Sequence, residues 1–509
     1  MAEEKVPYRG LITVCAMLAT LMQSLDSTIA NVALPYMQGS LSASSDQITW
    51  VLTSYITAAA IMTAPVGWLS ARFGLKNLYL ISLLGFTVAS MLCGVAESLT
   101  QMVVFRLLQG VFGAALVPLS QSTMLNIYPV EKRGSAMAIW GMGVMVGPIL
   151  GPTLGGYLTE IYNWRWVFFV NLPFGLLATA GMAAFLPKAE AKAGMRFDWI
   201  GFGVFSMGIA GLQLMLDRGQ TMDWFSSYEI IIEATLAGLG FYLFIVHMLT
   251  AEKPFITPAV FKDRNINAGL LVMFAVGMVL LAVSALLAPW LQDLGGYPVE
   301  TAGIIMAPRG LGTMAAMMIA GRLSNRVDPR ILIGFGIVLL SGSLYRMTGW
   351  TPAVSETTMI FNTMLQGAGL GFVFIPLQVI AFATLDPALR TEGTALLSLT
   401  RNVGSAIGIS VTEALVIRNG QTEHNTLSGF ITPLNRAFDH MSTTLSPYTA
   451  RGLQTLNGMV NHQASIIAYN DDWVLMMMLA LSMMALLLLM RKPKHAGHAA
   501  STEHAAVMD

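Results

Sequence analysis

Long apolar segments separated by polar connections dominate the chain. A helix that crosses a bilayer needs about 20 mostly apolar residues. The pattern predicts fourteen such helices, at 11–34, 47–69, 78–96, 101–126, 134–158, 164–186, 199–216, 228–249, 266–291, 300–320, 331–349, 358–384, 393–416 and 472–490. The first segment continues past Asp26 to Leu34 without a convincing cleavage site, so it is predicted to be a retained helix and not a signal peptide.

The composition agrees with the bilayer as the main solvent of this 509-residue chain. Hydrophobic residues make up 55% and charged residues 11%, whereas soluble domains carry about a quarter charged residues. The balance of 28 basic against 28 acidic residues argues against nucleic-acid binding through a broad positive face. Cys15 and Cys93 lie in apolar segments without a CxxC spacing or a His neighbour. No disulfide framework, metal site or cofactor is therefore predicted.

Basic residues indicate how the chain is oriented. They concentrate in alternate connections, such as 70–77 and 127–133, on the same side as the N-terminus. Positive charge is retained on the cytoplasmic side of a membrane. Both termini are therefore predicted to be cytoplasmic, with a tail at 491–509 and the longest loop, 417–471, on the outer side.

The chain carries an internal repeat. Three pairs of segments match in register: 67–76 with 321–330, 108–110 with 365–367, and 134–136 with 393–395. The repeat predicts two related six-helix bundles, 1–186 and 266–509, with two inserted helices and their linkers at 187–265. Parallel repeats of this kind place a substrate site between the halves, near the middle of the membrane.

Several motifs resemble those of the major facilitator superfamily. Gly67 to Lys76 is similar to its signature loop, Arg106 to Gly113 to a motif of its fourth helix, and 147–156 to the fifth-helix motif of its drug antiporters. Segments 25–35 and 163–173 resemble the 14-spanner drug/proton antiporter group, and 216–219, 223–227 and 261–265 resemble its EmrB-like branch. The motif residues expected to act in conformational change are Gly67, Arg72, Gly74, Gly147, Pro148, Gly151, Pro152 and Gly155. Ala71 departs from the pattern, because the signature loop usually has an acidic residue there.

This resemblance implies an all-α integral membrane protein with a major facilitator fold and fourteen transmembrane helices. It further implies a secondary active transporter, not an enzyme, in a bacterial inner membrane. Its expected function is proton-coupled antiport that exports hydrophobic drugs and toxic compounds from the cytoplasm or inner leaflet. A periplasmic membrane-fusion adaptor and an outer-membrane channel are the expected partners, with 417–471 either a contact surface or a tolerated insertion.

Two other functions are alternatives to drug export. A dedicated exporter of one endogenous metabolite, such as a siderophore or a fatty acid, would use the same machinery. A membrane-embedded enzyme would need a convergent set of catalytic groups, and the sequence contains neither HExxH nor GxSxG. It also lacks a GxxxxGK[ST] loop, which argues against ATP as the energy source.

Ionisable side chains inside a membrane are costly and point to function. Asp26 and Arg106 lie about 12 Å and about 9 Å from the outer ends of their helices, at about 1.5 Å per residue. These depths are compatible with an ion pair, in which Asp26 is the candidate proton site or, alternatively, one half of a permanent structural link. Glu413 is either a second protonation site or a carboxylate that reaches water.

Four residues are candidates for substrate binding: Asn31, Gln109, Arg309 and Arg401. Arg309 and Arg401 have no acidic residue at a matching depth. They either bind an anionic or weakly acidic substrate or hydrogen-bond to backbone carbonyls of broken helices. Asn31 either hydrogen-bonds substrate or makes an ordinary interhelical contact.

Overall fold

The computed structural model describes residues 8–188, 196–324, 326–432, 435, 445–446 and 448–491. Within these ranges the chain is helical and contains no β-strand. The predicted all-α fold class is confirmed. Residues 492–509 of the predicted tail 491–509, and residues 189–195 of the first linker, lie outside the described residues.

The α-helices run in chain order as α1 Arg9–Ser40, α2 Ser45–Ile48, α3 Trp50–Thr63, α4 Val66–Phe73, α5 Leu75–Gly94, α6 Leu99–Gly113, α7 Leu116–Ile127, α8 Arg133–Ile161, α9 Trp166–Phe169, α10 Asn171–Phe185, α11 Trp199–Arg218, α12 Tyr228–Thr250, α13 Arg264–Pro289, α14 Val299–Met306, α15 Pro308–Leu323, α16 Pro329–Met347, α17 Glu356–Ala381, α18 Arg390–Ser428 and α19 Ala450–Leu487. A π-helical turn, Trp290–Leu294, continues α13.

The described residues contain twelve spans long and apolar enough to cross a membrane. Helices α3 and α4 together make a thirteenth, bent by 60° at the break between them. The remaining predicted span, 393–416, lies in α18, which is long enough but is not apolar enough to be counted with the others. The prediction of fourteen spans is therefore not confirmed.

Helix α18 combines polar residues with close packing against other helices. It packs on α13, α19 and α7, and small residues bring its backbone against that of α13. A Cβ atom added at Gly277 would lie 2.3 Å from the carbonyl oxygen of Arg401, and one at Gly404 would lie 2.3 Å from that of Phe274. Such close approach through small residues is a common way for helices to associate in membranes.

The described residues of the segment 417–471 are mostly helical, so the prediction of one long loop there is wrong. Helix α18 continues to Ser428 and α19 begins at Ala450. The side chains of His424 and Asn457 join the two extensions through a hydrogen bond of 2.9 Å. Hydropathy marks where the apolar residues stop, but a helix satisfies its own backbone and can continue into a polar environment.

The helices before and after the inserted pair are in contact at the end of the bundle that carries residues 67–76, here called the signature-loop end. A Cβ atom added at Gly67 would lie 2.8 Å from that of Glu392, at the start of α18. Ser122 and Thr391 hydrogen-bond at 2.6 Å, and the Thr394 hydroxyl donates to the carbonyl of Pro118 at 3.1 Å. This end of the bundle is therefore closed.

Glu392 connects this contact to the segment that follows the inserted helices. Its carboxylate accepts a hydrogen bond from the backbone N–H of Thr257. Burial raises the pKa of Glu392 to about 7, and the Thr257 hydrogen bonds act in the opposite direction. Arg72 and Ala71 of the signature loop are both half-buried.

Glycines of α8 bring that helix directly against α1. Cβ atoms added at Gly147, Gly151 and Gly155 would lie 2.6 Å from the Ser24 hydroxyl, 2.2 Å from the Thr28 hydroxyl and 2.9 Å from the Ile29 side chain, respectively. The side chains of Pro148 and Pro152, in the same motif, lie outside the described residues. Gly74 ends α4 with a φ of 80°, a conformation that residues with a Cβ atom rarely adopt.

We expect Gly147→Ala to destabilise the protein by about 1–3 kcal/mol, because its methyl group would overlap the backbone of α1. Gly156→Ala on the same helix is the matched control, since nothing lies within 4 Å of its added Cβ. Thermal unfolding of both variants in detergent measures the difference. Equal unfolding temperatures for the two variants would contradict this description of the α1 and α8 contact.

Candidate functional site

The sequence places one carboxylate, Asp26, on the buried face of α1. The neighbouring positions on that face are Met22, Ile29, Ala30 and Ala33, all with 0% exposure. Asp26 is itself 0% exposed. Its charge is therefore removed from water and depends on partners from other helices.

Three donors hold the Asp26 carboxylate. Arg106 donates to Oδ2 through Nη1 at 2.7 Å, in a salt bridge that is fully buried. Gln109 donates to Oδ1 through Nε2 at 2.8 Å, and Asn171 donates to the same oxygen through Nδ2 at 3.0 Å. The predicted pairing of Asp26 with Arg106 is thus present, and two amides complete it.

The Arg106 guanidinium is fixed by α3 and by its own helix, α6. Its Nε donates to the Val51 carbonyl at 3.1 Å and its Nη1 to Gln109 Oε1 at 2.7 Å. The ring of Tyr55 lies 4.2 Å from its central carbon, close enough for a cation–π interaction. The remaining nitrogen, Nη2, is buried without a recorded partner.

Asn171 is a member of this network that the positions of ionisable residues in the sequence do not predict. It begins α10, is 0% exposed, and also donates to Ser90 on α5 at 3.0 Å. Its only sequence signal was its place in the segment 163–173. The network therefore links α1, α3, α5, α6 and α10.

Gln109 and Asn31, both predicted to bind substrate, have different environments. The Gln109 amide is occupied by Asp26 and Arg106, so it meets a substrate only when this network opens. Asn31 is exposed on α1, about 7.5 Å along the helix from Asp26 at about 1.5 Å per residue.

Arg309 and Arg401 lie on two helices that both contact α13. Arg309 donates to the Ser284 hydroxyl, and to the Leu280 carbonyl at 2.8 Å. Arg401 is half-buried, and its one recorded side-chain contact is a 3.5 Å hydrogen bond to the adjacent Asn402. Among the described residues, neither arginine forms a salt bridge with a carboxylate.

Glu413, the other acidic candidate, and Glu233, a further carboxylate within a predicted span, differ from Asp26. Glu413 is exposed on α18, and the negative charge of Asp217 on α11 repels the Glu413 carboxylate. Glu233 on α12 forms a 2.8 Å salt bridge with Arg218, which also pairs with Glu229. Asp26 is therefore the carboxylate that combines full burial with a buried cation.

Comparison with known proteins identifies the family. Residues 16–409 match the Major Facilitator Superfamily. The chain is 36% identical over 469 residues to the multidrug export protein EmrB of Escherichia coli (strain K12), covering 91% of this chain and 90% of that protein. The chain belongs to the major facilitator superfamily.

Two further relatives support this assignment. EmrB of Haemophilus influenzae is 34% identical, with 92% of this chain and 94% of that protein covered. The fatty acid resistance protein FarB of Neisseria gonorrhoeae is 33% identical, covering 96% and 97%. The predicted resemblance to EmrB-like exporters is confirmed, and the chain is a multi-pass membrane transporter rather than an enzyme.

Solved structures of other superfamily members share the fold. The proton:xylose symporter XylE superposes with a TM-score of 0.59 at 13% identity, covering 94% of this chain and 96% of that one. The human organic anion transporter MFSD10 gives the same TM-score at 14% identity, covering 93% and 100%. At these identities the likeness concerns the major facilitator fold alone.

We expect Arg106→Met to destabilise this superfamily member by about 3–5 kcal/mol, because it leaves the Asp26 charge buried without its cation. The double variant Asp26→Asn, Arg106→Met should recover part of that loss, because no unpaired charge remains. Arg346→Met, at an exposed position of α16, is the control. Unfolding in detergent provides all three values, and an Arg106 variant as stable as the control would contradict the buried pair.

Proposed function

We propose that this protein is a proton-coupled antiporter that exports hydrophobic drugs and other toxic compounds. The single observation that carries the proposal is the fully buried Asp26 held by Arg106, Gln109 and Asn171. A buried carboxylate keeps its charge only while donors compensate it. When those donors move away, the same group binds a proton.

In the proposed cycle, Asp26 exchanges its protein donors for a proton. The proton neutralises the carboxylate, which releases the Arg106 guanidinium and the Gln109 amide. These donors belong to α6, whereas Asp26 belongs to α1, so loss of their contact frees the two helices to move relative to each other. Gly147 and Gly151 on α8 provide a close contact surface along which α1 moves.

We propose further that the bundles 1–186 and 266–509 rock around a substrate site between them, with 187–265 as the inserted pair. The signature-loop end would face the cytoplasm of a bacterium, with both termini on that side of the inner membrane. Its closure by Gly67, Glu392 and Thr394 would then make this structure an inward-closed state. Gly74 and Arg72 border the same contact.

Substrate binding is assigned to Asn31, Arg309 and Arg401, joined by Gln109 when the network opens. The two arginines have no carboxylate partner among the described residues, so they favour anionic or weakly acidic compounds with an apolar body. Glu413, exposed on α18, is proposed as an accessory protonation site.

The helical extensions of α18 and α19 are proposed as the contact surface for a periplasmic membrane-fusion adaptor that leads to an outer-membrane channel. The hydrogen bond between His424 and Asn457 holds the two extensions together. A rigid helical pair presents a more defined surface than a loop would.

A dedicated exporter of one endogenous metabolite remains the second candidate. The likeness to the fatty acid resistance protein FarB favours it, as do the two arginines, which suit a carboxylate head group. The two candidates differ in the number of compounds transported and share the proposed coupling mechanism.

We expect substrate-triggered proton release from proteoliposomes to be lost in Asp26→Asn, because the amide cannot exchange a proton. A pH-sensitive dye, with a panel of lipophilic cations, neutral compounds and weak acids, measures this release. Glu160→Gln, which replaces an exposed carboxylate, is the matched control and should behave as wild type.

The pattern across the panel separates the candidates. Release with several compounds supports a drug exporter, and release with one metabolite class supports the dedicated exporter. Unchanged release in a well-folded Asp26→Asn protein would contradict the assignment of the proton site.

We expect Arg401→Gln to raise the KM for anionic substrates about tenfold or more, because a hydrogen bond to a charged group contributes about 1.5–3 kcal/mol. The KM for neutral compounds should not change. Arg346→Gln, exposed on α16, is the control for loss of a positive charge. An equal effect on both substrate classes would remove Arg401 from the binding site and leave it a structural role.

A further inference from the structure

A second buried carboxylate, Asp472 on α19, has no part in the cycle above. It is 1% exposed, and its Oδ2 atom is buried without a recorded hydrogen-bond partner. In the described ranges it forms no salt bridge. Asp26 is equally buried but forms a salt bridge with Arg106. One carboxylate therefore has a compensating cation and the other does not.

The groups around Asp472 are acidic. Tyr469, one turn away on α19, interacts electrostatically with Asp472, with Asp293 of the π-helical turn and with Glu413 of α18. The adjacent Asp471 is the one charge recorded as acting on Asp472 directly. His462 of α19 lies close to the end of the π-helical turn, with its Nε2 atom 3.4 Å from the Leu294 carbonyl oxygen.

The helices that pack against α19 bring no cation to this cluster. These are α13, α16 and α18, and no basic side chain from them is recorded in contact with Asp472 in the described part of the chain. Among the described residues, Asp472 is therefore buried with neither a cation nor a hydrogen bond to its Oδ2 atom.

An ionised carboxylate in such a place is unfavourable on two counts. It is removed from water without a compensating donor, and the nearest charges repel it. Binding a proton removes both costs. Glu413 and Asp293, by contrast, are exposed.

We propose that Asp472 is a second proton-binding site. The proton comes from the solvent and adds to the Asp472 carboxylate, with formation of one O–H bond and no other covalent change. Its consequence for transport rests on the proposed antiport, in which this proton would accompany the one on Asp26.

Infrared difference spectroscopy tests proton binding without any substrate. The full-length protein in lipid nanodiscs is stepped between neutral and alkaline pH in a buffer free of metal cations. A carboxylic-acid carbonyl band is expected that is lost in Asp472→Asn and retained in Asp471→Asn, the adjacent exposed carboxylate. Asp472→Glu, with native-like circular dichroism, should restore a band at a shifted frequency.

Two infrared results would overturn the inference. One is a spectrum of folded Asp472→Asn identical to that of wild type. The other is a carboxylate band at neutral pH that responds to added Na⁺ or K⁺, since the site would then hold a metal cation in place of a proton.

Transport stoichiometry tests the coupling consequence separately. In proteoliposomes, Asp472→Asn is expected to exchange one proton fewer per substrate than wild type or Asp471→Asn. An unchanged ratio would overturn a role in transport. Absence of antiport in wild type would reject the proposed function instead, and the infrared result would still decide whether Asp472 binds a proton.

Discussion

An ionised carboxylate within an apolar helical bundle must be compensated by the protein itself, and for Asp26 that compensation comes from Arg106, Gln109 and Asn171. The requirement sets the positions of several helices. Because the donors reside on α6 and α10 and the acceptor on α1, their packing and the charge state of Asp26 depend on each other. Protonation of Asp26 would neutralise its charge, so the donors on α6 and α10 would no longer be needed to compensate it.

Polar groups elsewhere in the bundle follow the same requirement in different ways. Helix α18 packs against α13, α19 and α7, and on it Arg401 is half-buried whereas Glu413 is exposed. The glycines at 277 and 404 bring α13 and α18 into close contact. Asp472 is the exception, since it is buried without a cation, and this imbalance leads to the inference that it binds a proton.

The sequence predicted those features that depend on chain-local rules. Helical rise alone placed Asp26 and Arg106 at compatible depths, and the repeat and motifs led to the correct superfamily. Asn171 was not predicted as a site residue because an uncharged amide in an apolar segment gives no charge signal. Its role depends on how α10 packs beside α1, which no local pattern reports.

Other differences between the prediction and the structure arise because a helix does not have to end where its apolar segment ends. The extensions of α18 and α19 are polar yet helical, so 417–471 was predicted as a loop. Asp472 falls at the first residue of the predicted span 472–490, where a carboxylate is expected to reach water; in the structure, α19 continues in both directions and its neighbours bury that side chain.

Asp26 is proposed as the group whose protonation changes which end of the bundle is open. Double electron–electron resonance tests this in protein with Cys15 and Cys93 replaced, using spin labels at Phe73 and Arg326 for the signature-loop end and at Tyr162 and Pro298 for the opposite end. Lowering the pH should lengthen the first distance and shorten the second. Asp26→Asn should show the low-pH distances at every pH. Wild-type distances that do not change with pH, or the same pH response in Asp26→Asn, would contradict the account.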